Sequence, residues 1–206
     1  MRRYKAYLFD FDNTLYDTSG SMKAILREGL PAIGIEFKES DFDELLGMDL
    51  NQIFKLKCND MSKANDFVIA CHRVMESSAY MSGVPFPEVP DVLRGLRSTG
   101  AVMAVVSGKQ VYNIENLLGR DGLRDCFDAI IGYESTARHK PFPDPILRCM
   151  HMLRLSKDEV LYIGDSPNDV GAALSAGVDI VIVDRDGHMD DGVPKMTSLS
   201  GIMPSS

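Results

Sequence analysis

Two aspartates one residue apart, Asp10 and Asp12, stand in the run Asp10-Phe11-Asp12-Asn13-Thr14, directly after a short apolar segment. Side chains alternate along an extended backbone, so both carboxylates face one side and can enter one cleft. At about 4 Å and an effective dielectric near 20, two such charges repel by roughly 4 kcal/mol, so a cation, a proton or a lysine must compensate. Three further polar clusters offer partners: Ser107-Gly108-Lys109, Lys140-Pro141 and Gly164-Asp165-Ser166-Pro167-Asn168-Asp169. Carboxylates, a hydroxyl and a lysine together suit nucleophilic and acid–base chemistry around a hard cation. Each cluster alone also fits a turn, an exposed loop or a helix cap. Their joint placement after predicted strands argues for a site.

The elements that position these clusters follow from hydrophobic periodicity. Apolar runs at residues 4–9, 101–106, 127–131, 160–163 and 179–183 have strand length, and helical patterns separate the last four at βαβ spacing. These features predict an α/β fold around a parallel sheet. Open sheets of that kind bind ligands at the carboxyl ends of their strands, where Asp10 falls. Residues 16–82 instead space their apolar side chains helically, as in Ile25, Leu26, Leu30 and Ile33, then Phe67, Val68, Cys71, Val74 and Met75. They form an inserted helical module, with core packing as the job of these stripes, and Gly83-Val84-Pro85-Phe86-Pro87 marks the return to the sheet. The tail Pro204-Ser205-Ser206 is expected to be loose.

The chain of 206 residues has 45% hydrophobic and 25% charged residues, enough to bury a core. No apolar run approaches the roughly 18–20 residues of a membrane span, and no signal-peptide core forms before Asp10, so a soluble cytoplasmic protein is expected. The four cysteines, Cys58, Cys71, Cys126 and Cys149, lack CxxC spacing and read as reduced thiols. A net charge of −8 disfavours nucleic acid as a partner. His72, His139, His151 and His188 show no paired ligand spacing, although His139 borders Lys140 and is a candidate substrate contact. Asp184-Arg185-Asp186-Gly187 resembles the start of a calcium loop, but His188, Met189 and Lys195 miss its later positions, so a solvated loop is expected.

The order DxDxT, Ser, Lys and GDxxxD across the chain resembles the haloacid dehalogenase superfamily, in the branch of phosphoglycolate phosphatases with a helical cap. The resemblance implies a Rossmann-like parallel sheet core formed by 1–15 and 83–206, with residues 16–82 as the α-helical cap. It implies a magnesium-dependent phosphatase in which Asp10 is the nucleophile and Asp12 the general acid and base. Thr14, Ser107, Gly108 and Lys140 would bind the substrate phosphate, with Lys140 also catalytic. Mg2+ would be held by Asp10, Asp165 and the Asp12 carbonyl, with Asp169 supporting Lys140 or a metal-bound water. Such an Asp attacks phosphorus and splits one hydrolysis into two displacements. The implied substrate is a small phosphorylated metabolite, and the implied state a monomer or homodimer without nucleic acid or membrane partners.

Two departures stand out. Asn13 occupies a position that is often Gly, and Asn tolerates the left-handed backbone. Gly108 stands where many relatives carry Asn, which replaces a side-chain phosphate contact by a backbone amide at most. Three rival activities are weighed. A β-phosphoglucomutase-like phosphotransferase needs a cap His and Arg where this chain has Met22 and Leu50. A dehalogenase lacks the second Asp, which is present here. A non-catalytic phosphate-binding regulator would not need Asp10, Asp12, Lys140 and Asp165 together. The segment Leu46-Gly47-Met48-Asp49-Leu50 is expected to cover the leaving group.

Overall fold

Apolar stretches rich in Val, Ile and Ala become the strands of one sheet, as expected for side chains that fit a pleated surface covered on both faces. The computed structural model describes residues 3–45, 48–185, 187 and 192–203. Its strands are β1 (Ala6–Phe9), β2 (Tyr16–Asp17), β3 (Val84–Pro85), β4 (Val102–Val106), β5 (Ala129–Ile131), β6 (Val160–Gly164), β7 (Asp179–Val183) and β8 (Lys195–Met196). Its α-helices are α1 (Ser19–Ala32), α2 (Phe42–Leu45), α3 (Leu50–Lys57), α4 (Ala64–Met75), α5 (Val89–Ser98), α6 (Val111–Arg120), α7 (Asp144–Leu153) and α8 (Pro167–Ala176). Contacts divide the chain into two compact units, residues 1–17 with 85–206 and residues 18–84.

In the first unit the strands run in the order β5-β4-β1-β6-β7-β8, and every pairing is parallel. This is the Rossmann-like α/β architecture. All four residues of β1 are buried, with Ala6 opposite Val102 on one side and Val160 on the other. One face of the sheet packs Leu8, Ala104, Ile131 and Ile182 against Ile146 and Cys149 of α7 and Ala172 and Ala173 of α8. Strand β8, a pair without an apolar run, had no sequence signal; it joins the edge by pairing Lys195 and Met196 with Ile182 and Val183.

Helix α8 begins with Ser166 as its N-cap, Pro167 at its first position and Asp169 completing a capping box, and Gly177 ends it at φ 72°. A local rule for starting helices therefore places an acidic side chain just beyond the carboxyl end of β6, inside the sheet.

In the second unit, Ile25, Leu26 and Leu30 of α1 pack with Phe67, Cys71 and Val74 of α4. Val68, expected in that stripe, is 43% exposed, because one residue past Phe67 turns it about 100° away from the packed face. Asp49 and Gln52 form a capping box on α3. Leu46 and Gly47 of the expected covering segment, Asp186, His188 and Met189, and the tail 204–206 lie outside the described residues. Among the described residues no helix is long and apolar enough to cross a membrane.

Candidate active site

Asp10 continues β1 by one hydrogen bond, its amide donating to the Ile163 carbonyl at 2.8 Å. The chain then turns sharply. Asn13 takes φ 55°, the left-handed region that its short polar side chain tolerates, and the amides of Leu15 and Tyr16 both donate to the Phe11 carbonyl at 3.0 Å. Phe11 stacks on Tyr16 with ring centroids 4.5 Å apart, which anchors the turn and leaves Asp12 near its outer side, with 35% of its side chain exposed.

Lys140 reaches this turn from the segment before α7, after which the Lys140–Pro141 bond is cis. Its Nζ lies 2.7 Å from Asp10 Oδ1 and 2.6 Å from Asp169 Oδ1. The approach to Asp10 is an ion contact off the hydrogen-bonding direction, so buried Asp10 Oδ1 has no hydrogen-bond donor among the described residues. Asp169 is fully buried and far better satisfied. Its Oδ1 accepts from Lys140 and from the Tyr162 hydroxyl at 3.0 Å, and its Oδ2 from the Ser166 hydroxyl at 2.6 Å and the amides of Ser166 and Asp165. The carboxylate fits there because residue 164 has no side chain: a Cβ on Gly164 would sit 2.4 Å from Asp169 Cγ.

These placements set the charges. Burial lifts the Asp10 carboxyl to about 6 against the pull of Lys140, with Asp169 and Asp12 adding to the rise. Burial, joined by the charges of Asp10 and Asp169, also holds Asp165 well above the carboxylate range. In Asp169 burial is outweighed by Lys140 and the donated hydrogen bonds, so it stays below that range. Burial disfavours the Lys140 ammonium, but Asp10 and Asp169 overcome this and keep it protonated far above the ordinary lysine value.

The remaining residues singled out from the sequence fall around this centre. Thr14 is buried, and its hydroxyl donates to Asp165 Oδ1 at 3.2 Å. Ser107, after β4, is buried, and its hydroxyl oxygen accepts from the Lys109 amide at 3.3 Å. Gly108 is exposed, with open space where a Cβ would be. The His139 ring stacks on Tyr133 at 4.1 Å.

Asp10, Asp165 and Asp169 form a group whose carboxylate oxygens all lie within 4.8 Å of one another, the spacing of ligands around one cation. The donor set suits a hard divalent metal ion: all oxygen, anionic, and including the undonated Asp10 Oδ1. Asp169 already accepts five hydrogen bonds or charge contacts from protein groups, which leaves Asp10 and Asp165 as the side chains of this group fitted to hold the ion.

The profile of the family described as haloacid dehalogenase-like hydrolase matches residues 7–183. The chain belongs to the haloacid dehalogenase-like hydrolases. A Caldanaerobacter subterraneus protein that carries the pyrophosphatase name PpaX is 33% identical over 86% of this chain and 80% of its own. The phosphoglycolate phosphatase of Aquifex aeolicus is 26% identical over 84% of this chain and 81% of its own. The crystal structure of a haloacid dehalogenase-like hydrolase from Bacteroides fragilis superimposes with a TM-score of 0.88 at 28% identity, covering 98% of this chain and all of that one.

Three residues of this haloacid dehalogenase-like hydrolase had no assigned role from sequence alone. Tyr162 bonds Asp169 from inside β6, where the sequence shows only an apolar run. Lys109 reaches Asp12 Oδ1 at 2.9 Å. Arg185, expected in a solvated loop, donates to Glu88 Oε1 at 2.7 Å and to the Thr14 carbonyl at 3.2 Å, with its guanidinium 3.6 Å above the Phe86 ring. It is held because Glu88 and Phe86 offer charge and a π face at one place. The cue available in the sequence was each residue's position within or just after a strand.

Proposed function

We propose that this hydrolase is a magnesium-dependent phosphatase that cleaves small phosphate monoesters through a phosphorylated Asp10. The observation that carries the reading is the buried Asp10 carboxylate, ion-paired at 2.7 Å with a lysine that Asp169 also holds.

In this reading Asp10 attacks phosphorus opposite the leaving oxygen while Asp12 gives that oxygen a proton. Asp12 then takes a proton from water as the water displaces Asp10 from phosphorus. Lys140 places positive charge against the phosphoryl oxygens, and Asp169 orients it. Ser107, the backbone around Gly108 and Thr14 complete the phosphate contacts and the support of Asp165. A magnesium ion held by Asp10, Asp165 and the Asp12 carbonyl would supply charge compensation for the carboxylates and the phosphoryl group.

Residues 18–84 are the proposed cap and the proposed source of selectivity for a small metabolite in a cytoplasmic enzyme. The positions where a sugar-phosphate mutase would need His and Arg hold Met22 and Leu50, and both pack against that unit's apolar core. They serve packing, which favours hydrolysis. The names of the relatives make phosphoglycolate and pyrophosphate the first substrates to try.

The experiment is phosphate release from p-nitrophenyl phosphate and a panel of small esters, with magnesium and with EDTA, for the wild type and Asp10→Asn. Metal-dependent release that the substitution abolishes is expected. A folded, magnesium-supplied wild type that releases phosphate from no member contradicts the reading.

A further inference from the structure

Lys109 is a charged side chain withdrawn almost completely from water, and the steps above do not use it. Only 1% of its side chain is exposed, and its Nζ lies 2.9 Å from Asp12 Oδ1. Burying an ammonium is costly unless a carboxylate meets it, and Asp12 does so here.

The main chain that carries Lys109 is pinned from several directions. Its amide donates to Ser107 Oγ at 3.3 Å, and its carbonyl accepts from the Tyr133 amide at 3.0 Å. The next amide but one, of Val111, donates to the Glu134 carboxylate at 3.1 Å. The loop after β5 can approach so closely because residue 132 is glycine: a Cβ there would lie 2.6 Å from the Lys109 carbonyl oxygen and from the Val111 nitrogen. A buried ammonium on a fixed backbone has little freedom, and neither has the carboxylate oxygen it holds.

We propose that Lys109 is a positioning residue that fixes the Asp12 carboxylate in the orientation that exchanges protons with the substrate. The contact is to one carboxylate oxygen, Oδ1, at 2.9 Å. In the first step the bond between Asp10 and phosphorus forms, the ester P–O bond breaks, and the proton on Asp12 goes to the leaving oxygen. In the second the bond from water to phosphorus forms, the bond to Asp10 breaks, and the proton of water goes to Asp12. Lys109 keeps its own protons throughout. Of the two buried lysines, Lys140 meets Asp10 and Asp169, and Lys109 meets Asp12. The inference rests on the reading of Asp12 as acid and base.

The test compares two esters at saturating magnesium, p-nitrophenyl phosphate, whose leaving group departs without a proton, and a simple alkyl phosphate, whose leaving group needs one. For Lys109→Met, kcat/KM on the alkyl ester is expected to fall about 100-fold, and on p-nitrophenyl phosphate by no more than about 5-fold. Lys109→Arg should restore the alkyl ester to within about tenfold of wild type, because it returns a donor to Oδ1. Lys109→Gln, which keeps a neutral donor, is read in the same way if the Met variant does not fold, and should show an intermediate selectivity. Equal losses on both esters, or none on either, overturn the inference while Asp10-dependent turnover stands. Turnover that survives Asp10→Asn overturns the parent reading and this one together.

Discussion

The Tyr162 hydroxyl lies 3.0 Å from Asp169 Oδ1 and also 3.0 Å from the Val106 carbonyl, with one proton to serve both. The charged oxygen is the stronger acceptor, so the phenol ties a buried strand to the carboxylate that steadies Lys140. Tyr162→Phe removes that donor with little change in shape. It should cost about 1–2 kcal/mol in urea denaturation and lower kcat more than it raises KM. Unchanged stability and turnover would show the bond to be idle.

Gly164→Ala adds one methyl group where Asp169 Cγ would be 2.4 Å away. The carboxylate must leave its cradle or β6 must shift. A loss of about 3 kcal/mol is expected, with turnover reduced further than the same loss elsewhere would explain. Thermal unfolding and kcat measured on the surviving folded fraction check this.

Magnesium affinity should depend on acidity. Burial raises the Asp10 carboxyl from 3.8 to about 6, so between those values the folded, metal-free protein keeps a proton that the unfolded chain has released. The cost of the buried carboxylate is therefore absent at low pH and complete above about 6, and a bound cation must displace the proton below that point. Affinity is expected to fall by at least about tenfold per unit below about pH 6, with Asp165, raised in the same direction, adding to the fall. Calorimetric titration with magnesium from pH 5 to 8 measures it; a flat profile contradicts it.

The cysteines should separate by reactivity. Burial pushes the thiols of Cys71 and Cys149 up to about 12 and raises that of Cys126 as well. Cys58 is only half-buried. A thiol reagent on the native protein at pH 8 should therefore modify Cys58 first and leave Cys71 and Cys149 intact until unfolding, as mass spectrometry would read. Early labelling of Cys149 would mean that the sheet opens where α7 covers it.

Much of the architecture was legible because apolar runs of strand length end abruptly in polar residues. The run at residues 179–183 is β7 to the residue, while those at 4–9, 101–106 and 127–131 lose one or two residues at their starts. Asp10, Asp165 and Asp169 announced themselves by following such runs. What stayed hidden depends on distance along the chain. Lys109 meets Asp12 across 97 positions and Arg185 meets Thr14 across 171, and no local pattern encodes such pairs. Val68 misled because a helical stripe one residue too wide still looks apolar, and β8 was invisible because two residues carry no period.

β1 is hydrogen-bonded along both edges, and the Asp10 amide extends that ladder to Ile163. An amide so placed is better protected from exchange than amides near loop tips, which exchange through small local openings. The proposed nucleophile is thus wired to the most persistent part of the first unit. Under heat or denaturant, the Asp10 amide should therefore keep its hydrogen longer than the amides of the loops that complete the site.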